Sequence, residues 1–165
     1  TSAILATATA PLAEAGYYVI PVSLAYETFR QNGLTVSEDI HAVSLAKLRE
    51  IFGADAAVYL KVTEYGTKYQ VVGSETRVAV TGKIVDLRSG AVIWEGKAVA
   101  SSQEAQGGAQ GGLLGMLVKA LVDQVVNSAS DASFRYAGVA NQRLLGGKLP
   151  NGILAGPRSP NYHEN

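Results

Sequence analysis

The chain has 165 residues, 47% of them apolar and 17% charged, which is enough for one ordinary domain core and too apolar for intrinsic disorder. Fourteen Lys+Arg balance fourteen Asp+Glu with no block of like charge, so the electrostatic footprint of a nucleic-acid or anionic-membrane binder is missing. Cysteine is absent, which excludes disulfides and thiol chemistry and leaves the compartment open.

From the N-terminus, Ala3–Ala15 is Ala-rich and helix-compatible, with Pro11 kinking the helix or opening its second half and Gly16 placed to end it. "TSAILATATAPLAEAG" has no basic n-region, so it is not an intact signal peptide, and the chain as written is expected to be soluble. "YYVIPV", Tyr17–Val22, reads as a short strand covered on both faces and ended by Pro21. Ser23 is a suitable N-cap for a helix over Leu24–Gln31, closed by Asn32-Gly33. "TVSEDIHAV" is expected to be a loop with a short helical turn. Ser44–Phe52 is a firm helix: Leu45, Leu48, Ile51 and Phe52 share a stripe and Gly53 stops it.

At Ala56 the period changes to two. Val58, Leu60 and Val62 fall on one face, and Tyr59, Lys61, Thr63 and Tyr65 on the other. A second strand covers about Thr76–Leu87, which a Tyr69–Val72 segment can extend, and a third covers about Ala91–Ser101. Asp86–Gly90 is a tight turn, so the three strands form an antiparallel meander. A helical stripe follows through Leu114, Leu117, Val118, Leu121, Val125 and Ser128, cut by Lys119 and Asp123 and well short of the roughly 20 apolar residues of a membrane span. A second helical pattern runs from Ala132 to Leu145. The last twenty residues hold four Gly and three Pro and read as irregular.

The expected fold is a single mixed α/β domain over residues 1–145, with an irregular tail at 146–165 packed on it. Its sheet has about four strands. The Tyr17–Val22 strand reaches the Ala56 strand through helices, which makes that pair parallel with a right-handed crossover. Apolar residues on both strand faces (Val92 and Trp94 against Ile93 and Val99) call for helices on both faces.

The search for chemistry returns little. With only His41 and His163 and no Cys, zinc-type sites lack ligands, and "SEDIH" reads best as a solvated helix start. His41 is the one candidate base, and "VGSET" lacks the Gly-x-Ser-x-Gly elbow. In "GGAQGGLLGMLVK", Gly107 and Gly112 have phosphate-loop spacing, yet Leu113-Leu114 stand where Lys-Ser/Thr is required, and the run follows a meander instead of a parallel strand. Gly107, Gly108, Gly111 and Gly112 are therefore a flexible connection rather than a nucleotide site. No metal, nucleotide or other cofactor is expected. The polar-aromatic face bearing Tyr59 and Tyr65, together with Trp94, is a candidate protein interface beside the plainer reading of a half-wet sheet surface. Leu113, Leu114, Met116 and Leu117 span a wider apolar arc than one core stripe needs, which points to a symmetric dimer.

"PLAEAGYYVIPV" (11–22), "ETFRQNGL" (27–34), "LREIFGADAAVYLKVTEYGTKYQV" (48–71), "VDLRSGAVIWEG" (85–96) and "PNGILAGPRSP" (150–160) closely resemble a family of bacterial outer-membrane lipoproteins of unknown function, whose neisserial members have been considered surface antigens. "GADAAVYLKV" and "VDLRSGAVIWEG" also look like the α/β domain of TolB N-terminal regions and CsgG-like secretion lipoproteins. The resemblance implies a lipid-anchored protein on the periplasmic or surface side of the outer membrane, its N-terminal anchor outside this chain. It further implies a non-enzymatic role beside other envelope proteins, such as a CsgG-like lipoprotein or transporter, in a transport or secretion assembly. A carrier or sensor of a small lipid, glycan or peptide is the alternative, and a hydrolase built on His41 ranks third.

Overall fold

The structure is a computed structural model describing residues 2–70, 73–106, 132–147 and 152–162. Helix α1 covers Ser2–Glu14, α2 Val22–Gln31, α3 Ser37–His41 and α4 Leu45–Phe52. Strands β1 (Ala56–Gln70), β2 (Gly73–Asp86) and β3 (Val92–Ser101) follow, then α5 (Ser102–Gln106) and α6 (Ala132–Leu145).

The local signals act as expected where they are self-contained. The Ser44 hydroxyl accepts the Lys47 amide at 3.3 Å and opens α4, and Gly53 at φ +60° closes it. Between β2 and β3, the Asp86 carboxylate accepts the amides of Arg88 and Ser89 and the Ser89 hydroxyl at 2.7–3.0 Å, while Gly90 takes φ +75°. In α1, Ala3, Ile4, Ala8, Pro11 and Leu12 are buried at helical spacing, and Pro11 lies inside one continuous helix.

Among the described residues the sheet has three antiparallel strands in the order β1-β2-β3. The expected strand at Tyr17–Val22 does not form, and neither does its parallel crossover onto β1. Residues 17–21 join no ladder, and the main chain just before them is bonded to the C-terminal segment: Ala15 O accepts the Gly156 amide at 2.7 Å and Gly16 O accepts the Arg158 amide at 2.9 Å. Pro21, at φ −52°, is already set for a helix start, so α2 begins at Val22 with Pro21 instead of Ser23 as its N-cap.

Two β-bulges set the faces. On β1 the pairing jumps from Val62–Val80 to Glu64–Ala79, leaving Thr63 as the extra residue; on β3 it jumps from Trp94–Ile84 to Val92–Val85, leaving Ile93 extra. Paired residues share a side. One face therefore carries Leu60, Val62 and Tyr65 with Val78, Val80 and Ile84 and with Trp94, Ala98 and Ala100. Helix α6 packs on this face and α1 packs on α6, which gives a core of Ile4, Leu12, Val78, Val80, Val139, Leu144 and Leu145. On the other face, α3 and α4 reach the sheet through His41, whose ring stacks edge-on to Tyr59, and through Leu45 beside Gly90.

Two glycines bring α6 close to the sheet. A Cβ at Gly82 would lie 3.1 Å from Leu144 Cδ2, and one at Gly96 would lie 3.1 Å from Leu144 Cδ1. The tail adds Ile153 to the core, and the Tyr17 phenol donates to Leu154 O at 3.0 Å.

Candidate functional site

The face of the sheet away from α6 carries an open groove of about 960 Å³. Its floor is built by strand alternation: Tyr59 and Lys61 from β1, Thr81, Lys83 and Val85 from β2, and Glu95 and Lys97 from β3 all project to this side. One wall is the end of α3 and the start of α4, where His41, Val43 and Leu45 stand over the strand ends near the 86–90 turn. Val92 closes the apolar end, held on this side by the Ile93 bulge.

Tyr59 is the aromatic residue of the floor. The His41 ring lies edge-on at 5.4 Å between centroids with an interplanar angle of 84°, and Lys83 Nζ is 5.4 Å from the Tyr59 ring centroid. Burial under these neighbours pushes the Tyr59 phenol above its ordinary pKa. Across the strands, Lys61, Thr81 and Lys97 share one register row, and Tyr59, Lys83 and Glu95 share the next. Among the described residues, none of Lys61, Lys83 and Lys97 is in an ion pair. No group of three or more His, Cys, Asp or Glu able to hold a metal occurs among those residues either. The arrangement supplies cations, an aromatic face and an apolar wall, which suit binding.

The expected aromatic interface is divided by the bulges. Tyr59 lies in the groove, whereas Tyr65 pairs with Val78 and Trp94 with Ile84, which puts both on the α6 side of the sheet. Trp94 packs against the core there and Tyr65 is 43% exposed. Leu113, Leu114, Met116 and Leu117, and the loop glycines Gly107, Gly108, Gly111 and Gly112, lie outside the described residues. Lys83, Lys97 and His41 were not singled out for binding by the sequence. The alternation Thr81-x-Lys83 and Glu95-x-Lys97 carried a partial signal, but only the cross-strand register brings these residues to one place.

Comparison with known proteins gives consistent results. Residues 1–158 match the family described as "Putative lipoprotein GNA1162-like". The chain is similar to a Neisseria meningitidis serogroup B protein described as "Putative lipoprotein NMB1124/NMB1162", 48% identical over 158 residues, which is 96% of this chain and 73% of the relative. It is also similar to the crystal structure of lipoprotein GNA1162 from Neisseria meningitidis. That likeness has a TM-score of 0.61 and 49% identity, and it covers 78% of this chain and 88% of the other.

Proposed function

This chain belongs to the GNA1162-like lipoprotein family, and from that premise we propose that it is the non-enzymatic, protein-binding domain of a lipid-anchored bacterial envelope protein. In this reading the intact protein sits at the outer membrane, on its periplasmic or surface side, and serves a transport or secretion assembly whose other members include a CsgG-like lipoprotein or a transporter. The kinship to TolB N-terminal domains, and the division into a domain at 1–145 and a tail at 146–165, are part of the same proposal.

The observation that carries it is the apolar surface on the α2–α4 segment. Helix α2 buries none of its residues, and Leu24 and Tyr26 on it are 57% and 55% exposed. Val36 and Ile51 on the same segment are exposed as well, as is Tyr18 just before it. Large apolar and aromatic side chains left exposed along this segment are candidates for contact with another protein. Cross-linked pull-down of the lipidated protein from envelopes tests this. A discrete partner lost on Leu24→Asp plus Tyr26→Asp supports the reading, and recovery of nothing above background overturns it. A homodimer through Leu113, Leu114, Met116 and Leu117 is also proposed. A monomer by light scattering at tens of micromolar would refute it.

The groove over Tyr59 favours a second reading, a carrier or sensor of a small lipid, glycan or peptide. Its volume falls in the range of small-molecule sites, and its lining joins apolar walls to a few polar groups.

A further inference from the structure

We propose that the groove binds a small anionic amphiphile, its phosphate or carboxylate head held over the Lys61–Thr81–Lys97 row and its apolar body laid toward Leu45, Val85 and Val92. The proposal deepens the carrier reading and rests on it, and its test is chosen so that the two can fail separately.

Charge is the first argument. The chain as a whole is balanced, fourteen cations against fourteen acids. In two adjacent register rows of this face three lysines stand against the one carboxylate of Glu95, while Glu64 in the row beyond is paired to Arg77. Lys61 and Lys97 flank Thr81 from the two neighbouring strands, which sets their backbones roughly 10 Å apart. Flexible four-carbon stems from both sides can bring their ammonium groups onto one anion above Thr81, and Lys83 stands two residues further along the central strand. All three lysines are exposed and, among the described residues, without a counter-charge, so their mutual repulsion is relieved when an anion arrives.

Polarity along the groove is the second. From Thr81 through Lys83 to Val85 the floor passes from cationic to apolar over roughly 13 Å. The apolar end is walled by Leu45 and by Val92, which is 49% exposed. A purely anionic ligand would leave that wall unused, and a purely apolar one would lie against a net excess of positive charge. A ligand with one end of each kind matches both.

Amide chemical-shift titration of the ¹⁵N-labelled chain with octyl phosphate, octyl glucoside and inorganic phosphate is the test. The expected result is that octyl phosphate moves the amides of Lys61, Thr81 and Lys97 and binds far more tightly than inorganic phosphate. Lys61→Gln with Lys97→Gln should weaken it by about tenfold or more, while Lys61→Arg with Lys97→Arg retains binding. Octyl glucoside binding the same amides with equal affinity overturns the anionic assignment and leaves the carrier reading in place. Silence from both amphiphiles overturns the proposal and confines the carrier reading to a glycan or peptide. Co-sedimentation with phosphatidylcholine vesicles, with and without phosphatidic acid, separates the sources. Capture by the acidic vesicles that the double glutamine variant abolishes identifies a bilayer headgroup. Octyl phosphate binding with no vesicle capture identifies a free amphiphile. Vesicle capture indifferent to both lysines, with octyl phosphate inert, overturns the proposal.

Discussion

The Trp94 indole lies over Gly96, two residues further along the same strand, so closely that a methyl group on Gly96 would come within 2.5 Å of Cζ2. The indole and Leu144 of α6 both occupy the space a side chain would fill there. Gly96→Ala is therefore expected to cost about 1–3 kcal/mol through overpacking. Gly82→Ala should cost less, since its nearest neighbours, at 3.1–3.3 Å, are side-chain carbons able to give way. Urea unfolding checks both, and Trp94→Phe in the Gly96→Ala background should restore part of the loss.

Asn141 ties α6 to α1. It is fully buried, and its Nδ2 donates to Ile4 O at 2.6 Å and to Thr7 Oγ1 at 2.8 Å. Its Oδ1 has no partner among the described residues. Asn141→Ala should lose about 1–3 kcal/mol of stability. Asn141→Asp puts a carboxyl in the same place, where burial raises its pKa above the unfolded value. The folded form then holds its proton longer, so the deficit of this variant should grow as pH rises from about 4 to about 8. A deficit independent of pH in that window would contradict the burial argument.

The Asp86 carboxyl is held below its ordinary pKa by the Ser89 amide and hydroxyl, with smaller help from Arg88. A group with a depressed folded pKa contributes stability above the unfolded pKa and loses it as pH falls through the folded one. Asp86→Asn should thus be less stable than the parent near neutrality, and the gap should narrow in acid. Unfolding curves recorded at neutral pH and near pH 3 measure that gap.

Gly156 lets the tail pass close to α1. A side chain there would sit 2.7 Å from the Gly16 carbonyl and 2.9 Å from the Tyr17 ring. Gly156→Val should lift the tail, increase cleavage by protease after residue 147, and uncover the Tyr17 phenol. That phenol is pushed above its ordinary pKa, first by burial and then by Tyr162. In the variant it should ionise at lower pH, which ultraviolet titration can read against Tyr17→Phe.

The fold was legible wherever a signal is local. The Ser44 cap, the Gly53 stop, the Asp86–Gly90 turn and the Ala132–Leu145 helix each depend on a handful of neighbouring residues. Tyr17–Val22 has the composition of a strand, but a strand needs a partner ladder, and the main chain at Ala15 and Gly16 is bonded to a segment some 140 residues away. Counting by twos put Tyr65 beside Tyr59 and Val92 beside Trp94, and the bulges at Thr63 and Ile93 separate both pairs. The basic row of the groove was hidden for a related reason: Lys61 and Lys97 are neighbours only through β2.

Those two bulges also say where the strands can change length. Thr63 and Ile93 are the residues the ladders skip, so removing either one leaves the remaining pairs as they stand. Removing Lys61 or Lys97 instead would invert the parity of the rest of that strand and send core residues to the groove side. One-residue deletions are thus expected to be tolerated at two points in this sheet, where, among the described residues, the code for inside and outside has a spare letter.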